Sequence, residues 1–184
     1  MTTPLRPARK ASNWISSALV FALVVAAVVM GFLESSGNMA SGGPAPEFSF
    51  ERFTGGKITS AELKGRVVML DFWATWCPPC VEEMPMLVRV AQEYEARGVT
   101  FVAVSHDDPD ERVDAVSAFV SHREPGLKAF AAYGDPMTGA KYQVRALPTI
   151  YIIDRSGKIV GSQTGQVSER KIRSWLDKAL LVSE

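Results

Sequence analysis

Cysteine and histidine are both scarce in this sequence, and their scarcity limits the sites that the chain can build. The 184 residues include two cysteines, Cys77 and Cys80, and two histidines, His106 and His122. A zinc site usually needs four ligands, whereas here each histidine is isolated in a loop-like segment. Covalent haem attachment needs a histidine directly after the second cysteine, but Val81 occupies that position. The sequence therefore predicts neither a metal site nor attached haem.

Net charge is absent as well. The chain carries 20 basic and 20 acidic residues, so its formal net charge is zero. A protein that binds nucleic acid usually presents a basic face, and no block of basic residues occurs here, so we expect no nucleic-acid partner. The hydrophobic fraction of 47% is ordinary for a globular protein. It is enough for one folded domain of about 135 residues with a real core.

One long apolar run lies near the N-terminus, between Ile15 and Leu33. Its length approaches what a helix needs to cross a bilayer. Basic residues precede the run and none follows it immediately, which predicts that residues 1–14 are cytoplasmic and that the rest of the chain lies outside. We interpret residues 15–33 as an uncleaved transmembrane signal-anchor. A cleaved signal peptide, with a weak site near Ser35 and Gly37, is the first alternative, and a helix buried in the domain core is the second.

The segment after this run has the composition of a linker. Residues 34–46 read ESSGNMASGGPAP, which is small, polar and rich in glycine and proline. The folded domain is therefore expected to span residues 47–184. Because strands and helices alternate along it, the predicted fold is a three-layer α/β domain. The predicted elements are a hairpin over 47–59, a turn over 60–65, strands over 67–73, 99–105, 127–133, 149–154 and 158–164, and helices over 78–97, from Asp108-Pro109 onward, over 136–143 and from Ser168 onward.

The two cysteines stand where a strand meets a helix, in the stretch DFWATWCPPC. So short a loop gains little stability from a passive disulfide, so we favour a redox-active pair over a structural one. Cys77 lies at the helix N-terminus, where the helix dipole favours the thiolate. Cys77 is therefore the predicted attacking thiol, exposed to substrate, and Cys80 the resolving thiol one turn further on. Pro79 has no N–H, which argues against a strongly stabilised thiolate and hence against a strong oxidant.

These motifs resemble the thioredoxin superfamily. The resemblance rests on DFWATWCPPC and on the downstream LPT at 147–149, and it covers residues 44–180. The opening APEFSF, the sequence WCPPCVEEMP and the extra segment before LPT resemble the TlpA/ResA-like branch. The resemblance implies a thioredoxin fold with an N-terminal hairpin, an inserted strand and helix before a cis-proline at Pro148, and no bound cofactor. It also implies a thiol-disulfide oxidoreductase anchored in the bacterial cytoplasmic membrane and facing the periplasm.

Two acidic residues are candidate catalytic groups. Asp71 lies within the apolar strand VVMLDFW, six residues before Cys77, where thioredoxins carry a buried acid. Burial would raise its pKa and let it accept the proton of Cys80 during resolution. A satisfied structural aspartate is the alternative, and ResA-like members often lack an acid at this position. Glu83 matches an acid of ResA-like proteins, although a solvated glutamate at the helix start is the alternative; Glu82 is expected to be solvated.

The expected docking face for substrate comprises Trp76, Pro78, Leu147 and Pro148. Trp76 would form an apolar wall, and Leu147 would offer its backbone to an extended partner. Trp73, in contrast, is expected to belong to the core. Neither histidine is assigned a role.

The predicted function is a membrane-tethered reductant of disulfides in other proteins. The resemblance implies apocytochrome c as a client and an integral membrane thiol carrier as electron donor. Another specific client, such as a metallochaperone or an oxidase subunit, is the alternative to apocytochrome c. A thiol oxidase or isomerase is the first alternative. A peroxidase is disfavoured because no Thr-x-x-Cys sequence occurs. A chaperone or binding module with a structural disulfide is the alternative from a different class.

Overall fold

The computed structural model describes residues 20–25 and 42–182. Residues 20–25 form a short helical segment. The folded domain contains seven strands: β1 (Ser49–Arg52), β2 (Lys57–Thr59), β3 (Val67–Trp73), β4 (Val99–Ser105), β5 (Ala131–Tyr133), β6 (Thr149–Ile153) and β7 (Ile159–Thr164). Its helices are α1 (Pro78–Glu95), α2 (Arg112–His122), a 3₁₀ helix (Pro125–Ala129), α3 (Pro136–Lys141) and α4 (Glu169–Leu180).

The seven strands form one mixed sheet in the order β2-β1-β5-β4-β3-β6-β7. β3, β4 and β5 are parallel, whereas the remaining pairs are antiparallel. In the central pair, Val67 of β3 lies opposite Val99 of β4 and Trp73 lies opposite Ser105. The predicted N-terminal hairpin is confirmed, and it extends the sheet because β1 pairs with β5. The α/β three-layer thioredoxin fold is therefore confirmed.

Alternation along β3 divides the core into two clusters, one on each face of the sheet. Met69 and Trp73 point to the face covered by α1, α2 and α4, while Leu70 and Phe72 point to the other face. That second face is covered by Phe48, the turn at 60–64 and the end of α3. All seven residues of β3 are buried. This explains why the strand reads as a continuous apolar run in which Asp71 is the one charged residue.

Most predicted boundaries agree with the structure to within two residues, but two segments differ by more. The second helix begins at Arg112, not at Asp108-Pro109. Asp108 instead heads a turn: its carbonyl accepts from the N–H of Arg112, and its side chain accepts from the N–H of Asp110. The segment predicted as one strand over 127–133 divides into the 3₁₀ helix and the short strand β5. Pro125 favours that helical start because its φ is fixed near the helical value.

The predicted signal-anchor at 15–33 and the linker at 34–46 lie largely outside the described residues. Among residues 20–25 and 42–182, no helix has the length and apolarity needed to cross a membrane. The assignment of Ser168 as the residue that precedes the last helix is confirmed, although its side chain forms no capping hydrogen bond.

Candidate active site

The cysteine pair lies where the central strand passes into the longest helix of the domain. β3 ends at Trp73, three residues form a turn, and Cys77 occupies the N-cap position of α1. The Cys77 N–H donates to the carbonyl of Ala74, and the Cys77 carbonyl accepts from Val81. Cys77 and Cys80 form a disulfide with their Cα atoms 5.3 Å apart. The strand–turn–helix setting predicted from the sequence is confirmed.

Cys77 is less accessible than predicted. It is 4% exposed in the disulfide form, and Cys80 is fully buried. The expectation that Cys77 stands exposed is therefore wrong for this disulfide form, because the Cys77 side chain packs into the core cluster that also contains Trp73 and Met84. Cys77 retains a little exposed surface and borders an open depression, whereas Cys80 does neither. The order of attack stays a prediction.

Asp71 is completely buried, and neither carboxylate oxygen has a hydrogen-bond partner within the described part of the chain. Along β3 it shares a face with Met69 and Trp73, which is the face covered by α1 and its two cysteines. Burial raises the pKa of Asp71 well above its ordinary value, and the nearby charge of Glu83 raises it further. The predicted proton transfer between Asp71 and Cys80 stays a prediction.

Glu83 is also buried, in the first turns of α1. One carboxylate oxygen accepts from the Val167 N–H at 3.0 Å, and the other has no partner among the described residues. Burial raises the pKa of Glu83 to about 7, and the hydrogen bond from Val167 partly opposes that rise. The solvated alternative for Glu83 is therefore wrong. Glu82, in contrast, is exposed as predicted and accepts a hydrogen bond from Gln166.

An open depression of about 540 Å³ borders Cys77. Trp76 is 66% exposed, and Pro78 is also exposed. Residues 144–147 also line the depression, and they end at the half-buried Leu147. Trp76, Pro78 and Leu147 are thus brought together as predicted.

Pro148 follows a cis peptide bond, as the family resemblance implied. It is buried, however, and it does not line the depression. The Pro148 carbonyl is occupied, because it accepts from the N–H of Gly165 at 2.9 Å. Its direct contribution to the docking face is therefore smaller than the sequence suggested. Gly165 belongs to the loop between β7 and α4. In this loop the Gln166 side chain donates to the Pro79 carbonyl, and the Val167 N–H donates to Glu83.

A buried carboxylate fixes the turn that carries Cys77. Asp107 accepts from the Thr75 N–H at 3.1 Å, from the Thr75 hydroxyl at 2.5 Å and from the Ser105 hydroxyl at 2.8 Å. These bonds join the end of β4 to the turn after β3. Sequence reasoning did not identify Asp107 as part of this site.

His106 was also missed, although it lines the depression together with Cys77. Its backbone N–H donates to the Trp73 carbonyl at 2.7 Å. A signal was present in the sequence: His106 directly follows β4, and the carboxyl ends of parallel neighbours such as β3 and β4 meet at one edge of a sheet. Trp73, in contrast, is fully buried against Phe119, which confirms it as core.

Comparison with known proteins agrees with this geometry. The sequence model of the redoxin family matches residues 40–180. The chain belongs to the redoxin family. Within it, the chain is similar to the thiol-disulfide oxidoreductase ResA of Bacillus thuringiensis strain Al Hakam, with 37% identity over 150 residues, covering 80% of this chain and 83% of the relative. ResA of Bacillus cereus strain ZK / E33L is 34% identical over 148 residues, with the same coverage.

Solved structures show the same relationship. A putative thiol:disulfide interchange protein DsbE from Chlorobium tepidum superposes with a TM-score of 0.66 at 31% identity, covering 77% of this chain and 98% of that one. A putative thioredoxin from Neisseria meningitidis has a TM-score of 0.66 at 29% identity, covering 76% and 91%. This redoxin is therefore a TlpA/ResA-like member of the thioredoxin superfamily and a thiol-disulfide oxidoreductase. An inert module with a purely structural disulfide does not fit these relatives.

Proposed function

We propose that this redoxin is a reductant that acts outside the cytoplasm, held at the membrane by the segment at 15–33. Cys77 attacks a disulfide in a client protein, and Cys80 resolves the mixed disulfide that results. The observation that carries the reducing direction is the weak stabilisation available to a Cys77 thiolate. A strong oxidant owes its potential to a reduced form that is unusually stable, so a poorly stabilised thiolate favours a reductant.

The helix N-terminus beside Cys77 offers few free donors. The first N–H groups of a helix normally stabilise an adjacent anion. Pro78 and Pro79 occupy the first two helical positions and have no N–H. The Val81 N–H is already bonded to the Cys77 carbonyl at 3.1 Å. Of the first four helical residues, Cys80 alone has an N–H with no such intrahelical partner.

Two buried carboxyl groups also disfavour a Cys77 thiolate. Asp71 and Glu83 lie on the side of the sheet that carries the cysteines, and each has an oxygen without a partner in the described chain. Any negative charge that these groups acquire opposes ionisation of a nearby thiol. We expect any such charge to add to the weak stabilisation of the Cys77 thiolate and so to favour the reducing direction.

The depression beside Cys77 supports a client that presents an extended segment. Its exposed Trp76 and Pro78 are apolar, and the chain segment 144–147 lines the same depression. Such a surface suits an unfolded chain better than a disulfide buried in a folded protein. The Cys-x-x-Cys-His segment of apocytochrome c fits this description, since its thiols must be free before haem attaches.

A reductant outside the cytoplasm needs an electron donor, because the glutathione and thioredoxin pools lie inside. We propose an integral membrane thiol carrier, for which a membrane tether would be an advantage. Redox exchange between two Cys pairs needs no bound cofactor.

The Cys80→Ala variant tests the client directly, because it retains Cys77 but cannot resolve the mixed disulfide. We expect mass spectrometry of the trapped adducts to identify apocytochrome c joined through Cys77. In a deletion strain, covalently bound c-type haem should fall, and an added external thiol should restore it. Normal c-type haem in that strain would contradict the cytochrome assignment without affecting the chemistry of the cysteine pair.

A further inference from the structure

His106 lines the same depression as Cys77. It directly follows the last residue of β4, and its backbone N–H donates to the carbonyl of Trp73, the last residue of β3. The imidazole then lines the depression that contains Cys77, Trp76 and Leu147. Among the residues that line this depression, Cys77, His106 and Arg145 are the ones with ionisable side chains.

A glycine makes room for the imidazole. A Cβ atom on Gly139, within α3, would lie 2.6 Å from His106 Cε1. A glycine inside a helix costs about 1 kcal/mol relative to alanine, so its place here is explained by the ring that it accommodates. Phe72 closes another side, with ring centroids 5.3 Å apart in an edge-on arrangement. The ring therefore packs between Gly139 and Phe72.

The ring has an unused polar atom. His106 Nε2 is buried and has no hydrogen-bond partner among residues 20–25 and 42–182. A buried polar atom normally has a partner, so an unpartnered nitrogen in a tightly packed ring at an active site calls for a functional explanation.

Charged groups surround the imidazole on several elements. Asp107 on its own loop and Asp135 before α3 raise its pKa by their negative charge, but burial has the larger effect and lowers the pKa overall. Two cations lie on neighbouring segments: Arg145 lines the same depression, and Arg112 donates to the Gly134 carbonyl at 2.6 Å. The imidazole is therefore neutral at neutral pH and able to accept a proton.

We propose that His106 transfers the proton in the first step of disulfide exchange. As Cys77 Sγ attacks the client disulfide, the imidazole accepts the proton of the Cys77 thiol. The new bond joins Cys77 Sγ to one client sulfur, and the client S–S bond breaks with its electron pair on the other sulfur. The imidazolium then returns the proton to that leaving thiolate. This step deepens the proposed reductive function, and it leaves the second step to Cys80 and the buried acids.

The test isolates the first step in the Cys80→Ala background, where Cys77 is the only thiol. Oxidised glutathione serves as the disulfide probe, and mixed-disulfide formation is followed by quenching and mass spectrometry from pH 5.5 to 10. His106→Gln is compared with His122→Gln, which changes the exposed second histidine. His106→Asn is a second variant of smaller volume, and thermal unfolding identifies the variant that is folded.

A proton acceptor accelerates attack only while Cys77 is still protonated. We therefore expect His106→Gln to lower the rate at least about tenfold between pH 6 and pH 8, at the low end of what general bases contribute. The difference should vanish above about pH 9.5, where a thiol with an ordinary pKa of about 8.5 ionises without help. His122→Gln should behave as the parent. A rate loss that is constant across the pH range, or no loss, would overturn the role of His106.

This result is independent of the client and of the physiological direction. A reduction potential typical of oxidases would overturn the proposed reductant while leaving the pH profile of His106→Gln intact. Conversely, an unchanged profile would remove His106 from the mechanism without affecting the proposed function.

Discussion

Asp71 is a carboxyl group inside the central strand, completely buried and without a hydrogen bond in the described chain. We predict that Asp71→Asn slows resolution of the mixed disulfide at least about tenfold, because the buried acid exchanges a proton with Cys80. Initial attack by Cys77 should stay near normal. Stopped-flow kinetics that separate the two steps, between pH 6 and pH 9, provide the measurement. An unchanged resolution rate over this range would reduce Asp71 to a structural residue.

Asp71→Asn should also change how the free energy of unfolding depends on pH. The folded-state pKa of Asp71 is raised, so the folded state holds a proton that the unfolded state releases as pH rises above about 4. Wild-type stability therefore falls as pH rises through the folded-state pKa of Asp71. Asp71→Asn removes this slope, and the variant should be at least as stable as the wild type at pH 7.

Glu83 gives a second pH-dependent prediction. Its pKa is raised from 4.5 to about 7, so its favourable contribution is complete below pH 4.5 and is lost as pH rises through 7. A shift of this size corresponds to no more than about 3 kcal/mol. Urea denaturation of the oxidised protein at pH 5 and pH 8 should show wild-type stability falling more steeply than that of Glu83→Gln. Parallel slopes in the two proteins would contradict a raised pKa.

At the residue scale, sequence reasoning identified the chemistry better than its surroundings. The spacing of Cys77 and Cys80 and the unusual acid within an apolar strand were visible in the one-dimensional pattern. The neighbours of the site were not, because His106 and Asp107 approach the cysteines through the pairing of β3 with β4. The accessibility of Cys77 was also overestimated, since it depends on packing against residues distant in sequence.

At the scale of elements, the junction between β4 and the turn before α1 determines how Cys77 is presented. Asp107 joins the two by accepting hydrogen bonds from Thr75 and Ser105. We predict that Asp107→Ala lowers the free energy of unfolding by about 2–4 kcal/mol, because it leaves buried donors unsatisfied. Attack by Cys77 should slow in parallel. Urea denaturation and the rate of Cys77 alkylation are the measurements.

The neighbouring Asp108 provides the matched control. Its side chain is exposed and accepts a local hydrogen bond from the Asp110 N–H, so Asp108→Ala should cost less than about 1 kcal/mol. Equal effects of the two substitutions would show that the link from Asp107 to the turn does not hold the site.

Elements with strong periodicity were predictable, and those set by local competition were not. β3, β4, α1 and α4 have apolar residues at the spacing of their structure, and their positions were confirmed. The start of α2 was wrong because Asp108 and Pro109 also favour a turn. The boundary inside 125–133 was wrong because a short buried apolar run does not separate strand from helix.

At the scale of the whole molecule, the tether remains a prediction. N-terminal sequencing of membrane-extracted protein should begin near Met1 if residues 15–33 serve as an uncleaved anchor. A start near Asn38, in protein recovered from the soluble fraction, would show that the segment is a cleaved signal peptide. The exchange chemistry of the folded domain would be the same in either case.

The reduction potential of the Cys77–Cys80 couple tests the proposed direction most directly. Purified protein is equilibrated with defined ratios of reduced and oxidised dithiothreitol, and the fraction of free thiol is measured by alkylation. The donor-poor helix N-terminus and the buried carboxyl groups predict a value at or below that of thioredoxin, about −270 mV. A value between about −180 and −120 mV, the range of disulfide isomerases and oxidases, would contradict a reductant and favour the thiol oxidase or isomerase alternative.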